Sequence, residues 1–138
     1  MSTRALQMVH KEDPKLVIQK AVAPYLSEIT VLGAEVLIGI YVRPDASLKL
    51  AGGKELYLPD RVRAEDKFQG KVGLVLKMGP IAFKEDSTHR FGDAVPQVGD
   101  WVALRVGDSF QISVGEQMCR IAEDVNFKLI VKHPDAVY

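Results

Sequence analysis

The chain has 138 residues, which is enough for one compact core and too few for two independent cores of ordinary size. Its apolar fraction of 47% and charged fraction of 26% are typical of globular domains and exclude a wholly disordered, collagen-like or disulfide-stapled chain. Eighteen basic residues balance eighteen acidic ones, so the surface lacks the charge surplus that drives binding to nucleic acid or anionic membranes, and we expect neither as a partner. No long apolar segment follows Met1, and the only cysteine, Cys119, cannot form an internal disulfide, which predicts a cytoplasmic location.

The first 32 residues carry a helical pattern. Asp13 followed by Pro14 suits a helix cap and first turn. Apolar residues then recur at helical spacing at Val17, Ile18, Ala21, Val22 and Tyr25. Because Pro24 lies deep in this pattern, the predicted helix ends at about Ala23. We therefore interpret residues 1–32 as an N-terminal extension that contains a short helix.

Residues 33–138 carry the alternation of β-strands and form the predicted main domain. Two strands are predicted over 35–43 and 71–77, and a last short strand over 127–131. Between them, three glycine-acid pairs recur every eight residues and predict a meander of short strands with tight turns, at Gly99-Asp100, Gly107-Asp108 and Gly115-Glu116. The pattern predicts an all-β fold, either a small antiparallel barrel or a sandwich.

Two stretches do not fit the strand pattern. Residues 44–68 form a connection of 25 residues, and compact domains rarely keep connections longer than about 12–15 residues unless these are functional or disordered. Residues 79–99 are charged and interrupted by Pro80 and Pro96, which predicts a protruding excursion between strands.

No catalytic constellation is visible in the sequence. The three histidines are scattered without a second ligand at metal spacing, and Cys119 fits a small buried apolar residue better than a nucleophile. The run Ala51-Gly52-Gly53-Lys54 lacks both the earlier glycine and the Ser or Thr of a phosphate loop. We expect no enzyme activity, no cofactor and no metal.

The long connection carries a short apolar motif. Gly52 and Gly53 give free backbone torsions, Leu56, Tyr57 and Leu58 form an apolar tripeptide, and Pro59 follows it. Glycines on one side and proline on the other are unusual around a core strand, which favours a docking motif for a partner. The alternative, equally weighted on the pattern alone, is a loop that folds back and buries these side chains on its own domain.

From Glu35 to about Val131, the order of motifs resembles the co-chaperonin family typified by GroES. The shared motifs are the strand 36–43, Ala51-Gly52-Gly53, Leu56-Tyr57-Leu58-Pro59, Gly70-Lys71-Val72, Met78-Gly79 and Val98-Gly99-Asp100-Trp101-Val102. Each motif alone is weak, but their common order is specific and covers most of the chain.

The resemblance implies a small irregular β-barrel that assembles as a seven-membered ring, caps a GroEL-like chaperonin and assists ATP-dependent protein folding. It implies that Gly52, Gly53 and residues 56–58 belong to a mobile loop, 44–68, whose tripeptide docks on the chaperonin. It also implies that residues 79–99 form a roof over the ring. The first and last strands of the domain would meet across subunits, which places four residues at the oligomer interface, Val36, Ile38, Leu129 and Val131.

Three features depart from the family pattern. Lys54 and Glu55 separate the glycines from the tripeptide, and the N-terminal helix is not a feature of the cellular members. Arg120 and the run 133–135 resemble divergent, phage-type members, which would place the protein in a bacterial host cytoplasm. A second hypothesis is a structural β-barrel, such as a virion cement or decoration protein attached through the helix. A small-ligand enzyme is the third and weakest.

Overall fold

A computed structural model describes residues 6–8, 12–42, 47–50, 55–57, 71–86 and 90–137. For 6–8, 47–50 and 55–57 the description is limited to the backbone. Within these ranges the chain forms one α-helix and nine strands. Their bounds are β1 Leu6–Met8, α1 Pro14–Leu26, β2 Glu35–Ile40, β3 Ser47–Leu50, β4 Glu55–Tyr57, β5 Val72–Met78, β6 Trp101–Leu104, β7 Phe110–Val114, β8 Gln117–Glu123 and β9 Phe127–Val131.

The main sheet has six antiparallel strands in the order β7-β8-β2-β5-β6-β9. Strand β2 lies in its interior, paired with β8 on one side and β5 on the other. Strands β7 and β9 are the two edges and do not pair with each other, so the sheet is open. The edges approach at one end, where Asn126 Nδ2 donates to the carbonyl oxygen of Asp108 at 3.4 Å. The β-rich antiparallel fold is confirmed. The strand order shows an open sheet and does not show a closed barrel.

The predicted meander is wrong in its first arm. Only β7 and β8 form a hairpin, around the Gly115-Glu116 turn, whereas β6 pairs with β5 and β9. The residues of β6 are all buried, so this strand needs a neighbour on each side and cover on both faces. At the second glycine-acid pair, a 3-10 helix over Val106–Asp108 carries the chain away from β6 instead of turning it back.

The sheet is buried on both faces, although the alternation in β2 predicts one apolar face. On one face Leu37 and Leu74 pack with Ile18 and Val22 of helix α1. Gly39 allows this close packing, because a Cβ atom built there would lie 2.5 Å from Ile18 Cγ2. The opposite face of the sheet carries a second apolar cluster, which includes Val36, Ile38, Ile40, Val75 and Val102.

Helix α1 belongs to the main core, so the predicted division at residue 32 does not separate two packing units. The Asp13 carboxylate caps its first turn by accepting from the Lys15 N–H at 3.0 Å. The helix continues to Leu26 with Pro24 in its last turn, three residues beyond the predicted end. A proline so near the end removes one hydrogen bond, and the packed apolar face compensates for that loss.

Lys77 of β5 donates hydrogen bonds to backbone carbonyl groups at and just beyond the C-terminal end of helix α1. Its ammonium donates to the carbonyl oxygens of Leu26, at 2.6 Å, and Ile29, at 2.5 Å. A cation at this position opposes the negative end of the helix dipole and binds carbonyls that have no partner within the helix. Lys77 therefore joins the helix to the sheet by a charged contact.

We expect Lys77→Met to lower the free energy of unfolding by about 1–3 kcal/mol, because the aliphatic stem stays while two carbonyls lose a charged donor. Chemical denaturation measures this loss. Lys20→Met, on the exposed side of helix α1, is the matched control and should change stability by less than about 0.5 kcal/mol. Equal stability of the Lys77→Met variant and the parent protein would contradict the capping role.

Candidate partner-binding site

The connection 44–68, here called the long segment, leaves and re-enters the fold at adjacent positions. It joins β2 to β5, which are neighbours in the main sheet. Immediately beyond β2, the Tyr41 N–H donates to the carbonyl oxygen of Val72 at 2.9 Å and continues the ladder by one rung. The described residues Tyr41 and Val72, which flank the insertion, are therefore hydrogen-bonded to each other at the sheet.

Tyr41 fixes this base to the C-terminus of the chain. Its side chain is 1% exposed, and its ring packs edge-on against Trp101 with centroids 5.7 Å apart. The hydroxyl donates to Asp135 Oδ1 at 2.5 Å, in a 3-10 helix over Pro134–Ala136. The Asp135 N–H donates in turn to Nδ1 of His133 at 3.2 Å. The C-terminal turn thus clamps the point at which the long segment begins.

The long segment contains two strands that the sequence analysis did not predict. Strands β3 and β4 pair antiparallel, and β1 pairs with the other side of β3. The three strands form a second sheet, in the order β1-β3-β4, that shares no strand with the main sheet. The polar and apolar alternation of residues 47–50 was the available signal for β3.

The predicted docking motif falls partly within this second sheet. Leu56 and Tyr57 lie in β4, opposite Leu48 and Ser47 of β3. Strand β4 is an outer strand, so one of its hydrogen-bonding edges is unpaired within the described part of the chain. The remaining predicted docking residues, Leu58, Gly52 and Gly53, lie outside the described residues.

The interface predicted for β2 needs correction. Val36 and Ile38 are 0% exposed, and both edges of their strand are paired within the chain. Neither their side chains nor their backbone is available to another subunit. Leu129 and Val131 lie instead on the edge strand β9, where Leu129 is 50% exposed. Of the four predicted interface residues, these two occupy a suitable place.

The described part of 79–99 forms no strand, as predicted, but its first part packs on the main domain. Phe83 lies edge-on to Phe91, with centroids 5.4 Å apart, and tilted to Phe127 at 6.2 Å. The Phe83 N–H donates to the carboxylate of Asp124 at 2.8 Å. Glu85 accepts from the N–H groups of Phe91 and Gly92. Phe83 is therefore held against the main domain by Asp124 and Phe127, and the excursion over 79–99 stays a prediction.

Three carboxylates gather where β2 begins. Glu35 and Glu123 are directly opposed across β2 and β8, and Asp124 follows with its side chain buried. Partial burial, together with the negative charges of Glu123 and Asp124, raises the pKa of Glu35 above its ordinary value of 4.5. The Asp124 carboxylate is held by the Phe83 N–H, so it has a structural partner.

Two further polar side chains of the described residues, Cys119 and Arg120, are buried. Cys119 is buried and free, as predicted, and burial raises the pKa of its thiol to about 11, so it is protonated at neutral pH. Arg120 is 3% exposed, and its guanidinium donates to the Ser109 hydroxyl at 3.4 Å.

Among the described residues, no three His, Cys, Asp or Glu side chains are grouped to hold a metal ion. In those same ranges no helix has both the length and the apolarity of a membrane span.

Comparison with models of known protein families and with curated proteins found no match to this chain.

We expect Tyr41→Phe to lower the free energy of unfolding by about 1.5–3 kcal/mol, because the carboxylate of Asp135, which is 5% exposed, loses a hydrogen bond. Tyr25→Phe removes a hydroxyl from a half-exposed ring and serves as the control. Urea unfolding of both variants measures the difference. If Tyr41→Phe is no more destabilising than Tyr25→Phe, the C-terminal clamp contributes nothing to stability.

We expect Glu35→Gln to stabilise the protein at pH 7 by about 0.2–1 kcal/mol, because it removes a like-charge pair across two strands. A raised native pKa means that the folded state binds the proton more tightly, so the destabilisation by Glu35 is complete above the native pKa. It fades as the pH falls through the native pKa, and the advantage of the variant should vanish at pH values below the ordinary pKa of 4.5. Unfolding curves at pH 4 and pH 7 measure this change, with Glu116→Gln as control. An advantage that does not depend on pH would rule out this explanation.

Proposed function

We propose that the chain is a co-chaperonin of the GroES type, which caps a GroEL-like chaperonin and assists ATP-dependent protein folding without catalysis of its own. In this proposal Leu56, Tyr57 and Leu58 dock on the chaperonin, and Gly52 and Gly53 act as the hinge. The ordered motifs between Glu35 and Val131 suggest it, and the placement of residues 55–57 carries it. They form the outer strand of a sheet that shares no strand with the main sheet, and the insertion that contains them is flanked by the hydrogen bond between Tyr41 and Val72.

This placement suits docking for a physical reason. A segment that is flanked by two hydrogen-bonded residues, Tyr41 and Val72, can bind or release a partner while the six-stranded sheet keeps its pairing. An outer strand also offers backbone N–H and C=O groups to an incoming chain, in addition to its side chains. Both properties support a docking role for the tripeptide over a second core strand.

The energetics favour several copies acting together. Burying two leucines and part of a tyrosine gains roughly 5–8 kcal/mol before costs. Fixing the backbone of one residue on binding costs about 1–2 kcal/mol, so a single copy whose flanking residues become ordered on docking binds weakly. Several copies on one ring make the later contacts intramolecular and raise avidity by about 10²–10⁴. We therefore include a homo-oligomeric ring, heptameric as in the family it resembles.

The ring proposal uses the free edge of the main sheet. Strand β9 is unpaired on its outer side within the described residues, and its Leu129 is half-exposed. Leu129 and Val131 remain the proposed interface residues, while Val36 and Ile38 do not. In such an assembly the open sheet would correspond to the irregular barrel of the family. The compartment is the cytoplasm of a bacterial host if the protein is phage-encoded.

A structural role in a virion is the second candidate, and one observation favours it. Leu16 and Val17 on the outer side of helix α1 are 49% and 46% exposed, although they are apolar. A cement or decoration protein could attach to a shell through this helix face. The co-chaperonin proposal assigns no task to these two side chains.

We expect Leu56→Asp combined with Leu58→Asp to weaken binding to a GroEL-type chaperonin about 100-fold or more in a pull-down with nucleotide, because every copy on the ring loses its anchor. Leu16→Asp combined with Val17→Asp is the control with the same chemistry and should bind like the parent protein. Circular dichroism and unfolding curves show whether both variants fold. A synthetic peptide of residues 47–60 should compete with the full chain.

Two results would overturn the co-chaperonin proposal. The first is chaperonin binding that the tripeptide substitutions leave unchanged. The second is a parent protein that stays monomeric and shows no mass shift with chaperonin and nucleotide. Attachment to a virion shell that is lost only in the helix variant would establish the structural alternative.

A further inference from the structure

A cavity of about 470 Å³ opens beside Lys71, three residues beyond the long segment. Its volume is in the range of binding pockets, which is roughly 300–1,000 Å³. The lining has an apolar part, formed by Ala103, Leu104 and Val106. It also has three cationic residues, Lys71, Arg105 and Lys128. All three cations are exposed, and no acidic residue of the described ranges lines the cavity.

The main sheet assembles this cavity from distant parts of the chain. The Leu104 N–H donates to the carbonyl oxygen of Lys71 at 3.0 Å, which places the start of β5 beside the end of β6. On the other side of β6, the pairing with β9 shifts register between Ala103 and Leu104. Lys128 occupies the position on β9 that this irregularity leaves without a paired residue.

Only one of the three cations has an ion-pair partner in the described part of the chain. Arg105 forms a two-point contact with Asp108, with Nη2 to Oδ1 at 2.9 Å and Nε to Oδ2 at 3.2 Å. Arg105, and secondarily Lys128, lower the pKa of Asp108, which stays ionised. Asp108 itself does not line the cavity and interacts with Arg105 and Lys128, so the described lining carries a local surplus of positive charge on a chain whose net charge is zero.

We propose that this cavity receives an acidic peptide segment of a partner protein, with one apolar side chain against Ala103, Leu104 and Val106 and flanking carboxylates beside Lys71 and Lys128. Charge complementarity selects acidic over neutral or basic segments. The apolar lining selects a peptide over a small anion, because an inorganic phosphate would leave this lining in contact with water. The inference does not require the partner to be a chaperonin.

A fluorescent probe peptide tests the proposal on the full chain. The probe is Glu-Asp-Leu-Asp-Glu, and its matched counterpart is Gln-Asn-Leu-Asn-Gln. Fluorescence anisotropy measures affinity at low and high salt, and amide NMR shifts at residues 103–107 report the place of binding. We expect the acidic probe to bind about tenfold or more tightly than its neutral counterpart at low salt, with the difference shrinking at high salt.

Two double variants test whether the probe binds to this cavity or responds only to the net charge of the protein. Lys71→Gln with Lys128→Gln should weaken the acidic probe about tenfold, because two exposed ion pairs are lost. Lys20→Gln with Lys84→Gln makes the same change in net charge on exposed lysines away from the cavity and should leave affinity unchanged. Unfolding curves confirm that both variants fold. A probe with glycine in place of leucine should bind about threefold or more weakly.

The proposal fails if the two probes bind equally or if Lys71→Gln with Lys128→Gln has no effect. It also fails if inorganic phosphate shifts the amides of residues 103–107 and the acidic probe does not, which would indicate a simple anion site. If sedimentation shows self-association that only this variant abolishes, the occupant is a second copy, and the assignment to a different partner is overturned.

Discussion

The structure depends on the pairing of β2 with strands on both of its sides. This strand is hydrogen-bonded to β8 and β5 and has apolar side chains against both faces of the sheet. A strand in that position cannot be rearranged without opening the whole core. The long segment starts where β2 ends and returns where β5 begins, at the rung between Tyr41 and Val72. Because the cost of closing a loop rises only slowly with its length, the core can carry a large functional insertion at this point.

The charges show why a balanced composition says little about partners. Overall the basic and acidic residues cancel, but the structure separates them. Carboxylates collect at the start of β2 around Glu35, whereas the ammonium groups of Lys71 and Lys128 line a cavity beside the long segment. Screening in salt limits each field to about 10 Å, so a partner responds to the local patch rather than to the net charge. A net charge of zero therefore does not by itself exclude a charged partner such as nucleic acid, because binding depends on the local patch.

Sequence patterns were sufficient to predict those features that depend only on interactions between neighbouring residues. The cap at Asp13, the strand alternation of β2 and β5, and the buried thiol of Cys119 could be predicted from neighbouring residues. The strands of the long segment were missed because glycines and charged residues favour a loop on propensity, and pairing between strands overrides propensity. For the same reason Leu56 was predicted in a loop and lies in a strand.

The sequence alone determined the β-rich class, the position of helix α1 and the existence of a long insertion, because periodicity and turn chemistry act over a few residues. Tertiary structure alone decided which strands are neighbours, and with that which residues are accessible. Val36 and Leu129 have similar side chains in similar patterns, but among the described strands one lies in a central strand and the other in an edge strand. Strand order is a long-range property of the whole sheet, so no local pattern distinguishes these two positions.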